Sequence, residues 1–188
     1  MNRIAADIGE GIDRVAAIVS DLRTFAHPEN RGSRPVNLHE ITRKALRLLN
    51  KEISDRSVTL VDEVPEGLIA QGDENHLIQI VLNLVQNSLD ALQGRAEAQI
   101  MLKAFEQDSR VLLIVRDNGS GIPQANLAKI FDPFFTTKPV GQGMGLGLSL
   151  CYRMIQGMGG EVSVDTAEGS HTQFTISLAR PGAARAES

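Results

Sequence analysis

Three groups of residues have the types and spacing to do chemistry. The first is Gly141-Gln142-Gly143-Met144-Gly145-Leu146-Gly147-Leu148-Ser149, where glycine recurs at every second position until an apolar helical pattern begins. Without a Cβ, glycine lets the backbone take positive φ and bring its N–H groups against an anion. A helix opening near Gly145 adds unpaired donors and the positive end of its dipole. Phosphate suits such a run, although flexible loops are also glycine-rich for entropic reasons. The second group is Asn83 and Asn87, spaced i, i+4 and so on one helix face. Asparagine is a poor interior helix former and a poor core residue, so both need partners. Two amide oxygens in line can hold a hard cation and the phosphates it bridges, or the amides can bond to neighbouring loop backbone. The third is Asp117, at the end of an apolar strand and followed by Gly119, Gly121 and Pro123. A carboxylate in a tight glycine turn can accept from an exocyclic amine, as adenine requires; an isolated Asp-Asn-Gly is also a plain turn.

The chain that must position these groups has 188 residues, 42% hydrophobic and 22% charged, which suits one well-buried core plus an accessory element. The net charge of −4 and the absence of any Lys or Arg run leave no electrostatic footprint for nucleic acid. The single cysteine, Cys151, excludes an internal disulfide and falls in an apolar helical pattern, which reads as a core thiol and fits a cytoplasmic setting. No stretch approaches the ~18 apolar residues of a membrane span, and no signal peptide opens the chain, so direct membrane contact is not expected.

In chain order, Met1, Ile4, Ile8, Val15, Ile18, Leu22 and Phe25 follow a heptad pattern broken only at Gly11, predicting an amphipathic helix over residues 1–27. Its apolar face must meet a second copy or its own domain, and a two-fold dimer is the simplest solution. Residues 28–35, punctuated by Pro28, Gly32 and Pro35, read as a linker. The main domain then runs over residues 36–179. Asn37 caps a helix with Leu38, Ile41, Ala45, Leu48 and Leu49 on one face. Short strands follow at Ser57 to Glu63 and Leu68 to Gln71, and Asp73 caps a widely apolar helix from Glu74 to Leu92. Strands at Ala98 to Glu106 and Val111 to Arg116 flank a turn at Asp108-Ser109. After a loop and a short helix, Phe131 to Pro139 and the glycine run form a long aperiodic segment, the length of a functional lid. A helix from Leu146 to Gly157 precedes strands at Glu161 to Asp165 and Thr172 to Leu178. Residues 180–188 read as a disordered tail. This order predicts an α+β fold, a two-layer α/β sandwich in which helices cover one face of a mixed sheet.

The three groups, taken in chain order, resemble the nucleotide-binding domain of bacterial sensor histidine kinases, in the superfamily that also holds gyrase, heat-shock chaperone and mismatch-repair ATPases. Asn83-Leu84-Val85-Gln86-Asn87-Ser88-Leu89-Asp90-Ala91 is similar to the family's N box, and Asp117-Asn118-Gly119-Ser120-Gly121-Ile122-Pro123 to its first glycine box. Phe131-Asp132-Pro133-Phe134-Phe135-Thr136-Thr137-Lys138 is similar to its F box, and Gly143-Met144-Gly145-Leu146-Gly147-Leu148-Ser149 to its second glycine box. The resemblance implies that the chain binds Mg-ATP. Asn87 would ligate Mg²⁺, Asn83 would support metal and phosphates, and Asp117 would read the adenine amine beside Ile122. Gly119 and Gly121 would leave room for the base, and Thr172 would help close the pocket. Lys138 and the segment Gly143, Met144, Gly145, Leu146 and Gly147 would hold the triphosphate, with Asn83, Asn87 and Lys138 serving catalysis. Phe131, Phe134 and Phe135 would anchor the lid.

The resemblance further implies transfer of the γ-phosphate to a histidine on a phosphoacceptor hairpin, then to a response-regulator aspartate. The N-terminal helix is similar to the second helix of that hairpin, and the first helix, which carries the acceptor, is missing. His27 is followed by proline rather than an acid, and His39-Glu40 opens the first helix of the nucleotide domain, so neither is expected to be the acceptor. His76 reads as a helix-surface residue. His171 stands where the family usually has a small residue and would alter the pocket edge. In the ATP-hydrolysing relatives a glutamate one turn before the metal-binding asparagine activates water; here that position is Asn83, which cannot take a proton. The rival readings are such an ATPase and a non-catalytic, nucleotide-sensing dimerisation module.

Overall fold

The computed structural model describes residues 33–139 and 143–182. The expected N-terminal helix over residues 1–27 and most of the expected linker lie outside the described residues.

Both long helices start at side chains that satisfy otherwise open N–H donors. Asn37 Oδ1 accepts from the N–H groups of His39 at 3.0 Å and Glu40 at 3.4 Å, opening α1 (Leu38–Asp55). Asp73 Oδ1 accepts from the His76 N–H at 2.9 Å, opening α2 (Glu74–Ala91). The buried arc of α1 centres on Thr42 and extends to Leu46 and Ile53. Leu48, expected on that face, falls just beyond its opposite edge and is 70% exposed. The arc of α2 is wider: Leu77, Ile80, Val81, Leu84, Val85 and Leu89 are fully or almost fully buried. Each such aliphatic side chain contributes roughly 1.5–3 kcal/mol by leaving water, which holds this helix at the centre of the core.

The strands are β1 (Arg34–Asn37), β2 (Thr59–Glu63), β3 (Ile69–Gly72), β4 (Gln99–Gln107), β5 (Arg110–Asp117), β6 (Glu161–Ala167) and β7 (His171–Ala179). Five of them form a sheet in the order β2-β4-β5-β7-β6, parallel between β2 and β4 and antiparallel elsewhere. The short helix α3 (Gln124–Leu127) follows β5, and α4 (Gly147–Gly157) precedes β6. The mixed sheet with its helical layer is the expected α+β sandwich. Two features differ from the sequence reading. The apolar run near Ile69 does not join the main sheet but pairs with β1, where Arg34 lies opposite Gly72 and Pro35 opposite Gln71. Proline is tolerated there because an edge strand can forgo an N–H. Arg34 and Pro35, expected in the linker, are therefore strand residues. Arg180, expected in the tail, donates its N–H to the Ser109 carbonyl at 3.0 Å and pairs with Glu106 at 3.2 Å. Residues 183–188 of the expected tail lie outside the described residues.

One consequence of strand alternation matters for the site. On β5, Val111, Leu113 and Val115 face the helical layer and are buried, and the same period carries Asp117 inward, 4% exposed.

Candidate functional site

A cavity of about 430 Å³ opens between the C-terminal half of α2, the end of β5, the start of α4 and the irregular segment before it. That volume falls in the range of small-molecule sites. It is lined by Asn87, Ser88, Asp90, Ala91, Asp117, Ser120, Gly121, Ile122, Pro123, Asn126, Ile130, Phe135, Thr136, Thr137, Lys138, Gly143, Met144, Gly145, Leu146, Gly147, Leu148, Thr172 and Phe174. Eleven of the thirteen sequence-derived site residues are in this set; Asn83 and Gly119 are not.

Asp117 lies at one end. The Gly119 N–H donates to its Oδ1 at 2.9 Å and the Ser88 hydroxyl to its Oδ2 at 2.9 Å. Burial pushes the carboxyl above its ordinary value, while these two donors, the backbone at Thr172 and the charge of His171 act in the opposite sense. The carboxylate keeps lone pairs for one further donor, which is the chemistry of an amine reader. The loop after it is seated on the β6–β7 hairpin. The Ile122 N–H donates to Thr166 Oγ1 at 3.0 Å, and that hydroxyl donates to the His171 carbonyl at 2.7 Å. Gly121 has φ +67°, and a Cβ there would overlap the Ala167 carbonyl; at Gly119 one would meet Asp117 Oδ1 and the Ala91 carbonyl within 2.8 Å. Both glycines are required by close approach within the protein itself, and Gly121 also lines the cavity.

Lys138 lies at the other end. Its Nζ is 2.5 Å from Asp90 Oδ2 and 3.4 Å from Asn87 Oδ1, so two acceptor oxygens already share one cation there. Gly145, at φ +69°, is packed so that a Cβ would overlap the Phe135 carbonyl, and its own carbonyl accepts from the Phe134 N–H at 2.9 Å. This docks the glycine run onto the phenylalanine segment. No side chain caps α4, and Leu146, Gly147 and Leu148 at its start line the cavity. Open backbone donors and the helix dipole there favour an anion.

The two asparagines part company. Asn87 faces the cavity, whereas Asn83 donates to the Gly147 carbonyl at 3.4 Å and Cys151 Sγ at 3.6 Å and accepts from Gln79 at 3.1 Å. Asn83 thus follows the backbone-bonding alternative and ties α2 to the start of α4. The phenylalanines also divide. Phe131 and Phe135 pack on the core, Phe131 also lying 5.4 Å from Tyr152, whereas the Phe134 side chain is 65% exposed with φ +68°, and that residue holds the glycine run through its backbone N–H. His171 does not reach the cavity. Alternation on β7 sends Thr172 inward and His171 out to Asp165, 3.2 Å away. His39 bonds through Nδ1 to the Val64 carbonyl at 2.8 Å, and half-buried His76 sits 4.0 Å from Asp73.

Sequence reasoning missed the part played by Ser88 and Asp90. Ser88 was detectable as the single polar position within the apolar arc of α2, one turn beyond Leu84. Asp90 carried no signal until Lys138 was placed beside it. Among the described residues, no group of three or more His, Cys, Asp or Glu gathers as a metal cluster. No described helix is long and apolar enough to cross a membrane.

Comparison with known proteins agrees with this geometry. The family model described as histidine kinase-, DNA gyrase B-, and HSP90-like ATPase matches residues 72–182. The C4-dicarboxylate transport sensor protein DctB of Rhizobium meliloti (strain 1021) is 33% identical over 172 residues, covering 91% of this chain and 27% of that protein. The chain therefore spans about a quarter of that relative's length. The catalytic domain of histidine kinase ThkA matches with a TM-score of 0.68 at 31% identity, over 78% of this chain and 95% of that one. Full-length ShkA in complex with AMPPNP matches with a TM-score of 0.78 at 27% identity, over 90% of this chain and 36% of that one. The chain belongs to the histidine kinase-, DNA gyrase B- and HSP90-like ATPase family and, within it, is an ATP-binding domain of the sensor histidine kinase type.

Proposed function

We propose that this chain binds Mg-ATP in the cavity and serves a two-component sensor histidine kinase as its catalytic core. It delivers the γ-phosphate to a histidine on a phosphoacceptor hairpin, for relay to a response-regulator aspartate. The observation that carries this reading is the polarity of one cavity: a buried carboxylate acceptor at one end, and a lysine with an uncapped helix start at the other. Asp117 accepts from the adenine amine, Ile122 and Thr172 border the base, and Lys138 with the backbone from Gly143 to Gly147 holds the phosphates. Asn87 supplies a metal ligand, for which its Oδ1, now bonded to the Lys138 cation, is suited. Magnesium retains most of its water and phosphate ligands, so one protein oxygen is enough. The protein contributes positioning and charge neutralisation to the transfer. Asn83 is assigned to support of the helix start. Its amide cannot act as a base for water, which favours transfer over hydrolysis. Residues 1–27, whose heptad pattern needs an apolar partner, would pair with those of a second copy.

The test is the fate of γ-labelled phosphate after incubation with Mg-ATP. The expected result is label retained on bound ATP, with transfer appearing once a separate acceptor hairpin is added. Free phosphate from this chain alone would support the ATPase reading. Acid-labile label on the chain would make His27 or His39 the acceptor, and retention that no hairpin relieves would leave a nucleotide-sensing module.

A further inference from the structure

We propose that Arg95, outside the cavity, is the positioning residue that fixes its base-reading end and thereby sets the preference for adenine. This inference rests on the cavity being the ATP site. Arg95 sits in the turn after α2, and its guanidinium serves two loops at once. Nε donates to the Asn118 carbonyl at 2.8 Å, and Nη2 donates to the carbonyls of Gly119 at 3.0 Å and Gly169 at 2.5 Å. Asn118 and Gly119 directly follow Asp117, whereas Gly169 is in the turn between β6 and β7, far away in sequence.

The two loops also touch directly, because the Gly169 N–H donates to the Ser120 carbonyl at 2.6 Å. From the opposite side, Asn118 accepts from the Gln99 N–H at 2.8 Å and donates to the Glu97 carbonyl at 2.9 Å. Arg95 is the group that joins both loops through one rigid fork. The chain of contacts to the site is short. Arg95 holds the Gly119 carbonyl, and the Gly119 N–H holds Asp117 Oδ1. Releasing Gly119 frees the carboxylate to turn away from the amine it must face, while leaving the phosphate end untouched. A lysine cannot substitute, since a single ammonium lacks the planar fork that reaches three carbonyls.

The measurement is calorimetric binding of ATP and of inosine triphosphate, both with Mg²⁺, to the wild type, Arg95→Ala and Arg95→Lys. Inosine triphosphate keeps the phosphates and offers an oxygen where adenine has its amine, so only ATP uses a well-oriented Asp117. Arg95→Ala is expected to weaken ATP by about tenfold, the worth of one charge-assisted hydrogen bond, with inosine triphosphate changed less than about twofold. Arg95→Lys should resemble alanine more than arginine. Arg95 is exposed, so melting temperatures should stay close to wild type. Parallel losses for both nucleotides, unchanged ATP affinity in either variant, or full rescue by lysine would overturn the proposal. Wild-type protein that binds neither nucleotide would remove the ATP-site reading, and this inference with it.

Discussion

The two ends of the cavity are built by opposite means. At the end proposed to read the base, the protein itself holds the groups in place: Asp117 is buried on a central strand with two donors on its oxygens, and Gly121 is wedged against the Ala167 backbone. At the end proposed to hold the phosphates the principal charge, Lys138, rides on a segment with no strand or described helix and satisfies itself on Asp90 and Asn87. The difference is physical. Reading a base needs a polar acceptor in a fixed direction in a dry place, which only the core can supply. Holding phosphates needs charge and open N–H groups, which a surface segment and a helix start provide.

The sharpest way to break this contrast is Asp117→Asn. The amide oxygen can keep the Gly119 bond while its NH2 donates to a turned Ser88 hydroxyl and offers a donor where the ligand needs an acceptor, so ATP affinity should fall by about a hundredfold in calorimetry. Stability should move the other way. Because burial raises the Asp117 carboxyl above its ordinary 3.8, the folded chain binds that proton more tightly than the unfolded one. Wild-type stability therefore decreases as pH rises from the ordinary value through the raised one. The asparagine variant should thus be at least as stable as wild type at pH 7, and denaturant titrations should show wild type gaining on it as pH falls. ATP affinity of the wild type should instead weaken over that window, as protonated Asp117 becomes a donor. A pH-independent difference between the two proteins would remove burial as the cause.

Next in size is the pair Gly121→Ala and Gly143→Ala. At Gly121 the new methyl meets backbone that cannot yield, at positive φ, and a loss of about 2–3 kcal/mol is expected. At Gly143, among the described residues, it meets the flexible Lys138 side chain at 3.2 Å and Thr136 Oγ1 at 3.8 Å, and about 0.5 kcal/mol or less is expected. Thermal denaturation of the two variants reads this directly, and equal losses would show that both ends are equally rigid. A smaller effect than that at Gly121 is expected for Lys138→Ala. ATP should weaken by about fivefold to tenfold while adenosine is unaffected, because a partly exposed lysine offers a screened point charge. Weakened adenosine binding would mean that the phosphate end shapes the base end.

The legibility of the site follows the same division. Helix starts at Asn37 and Asp73 were readable because a cap is a local bond, whereas the inward turn of Asp117 was not, because Val111 to Val115 is apolar throughout and shows no alternation that fixes which face is buried. The β1–β3 ribbon was not readable, since nothing in Arg34 to Asn37 names Ile69 to Gly72 as a partner. For Asn83 and Asn87 the two alternatives stayed open because helical spacing places two residues on a face without saying what packs above each. The start of α4 covers one and leaves the other to the cavity.

The sequence by itself determined the elements other than β1, the α+β class and the ordered boxes that identify the family, because periodicity, caps and glycine punctuation act between residues close along the chain. Only the tertiary structure decided which of those residues share the cavity, that Ser88 steadies Asp117 and that Asp90 pairs with Lys138. It alone brought Arg95 to Gly169, since such contacts depend on distances between segments that chain spacing does not encode.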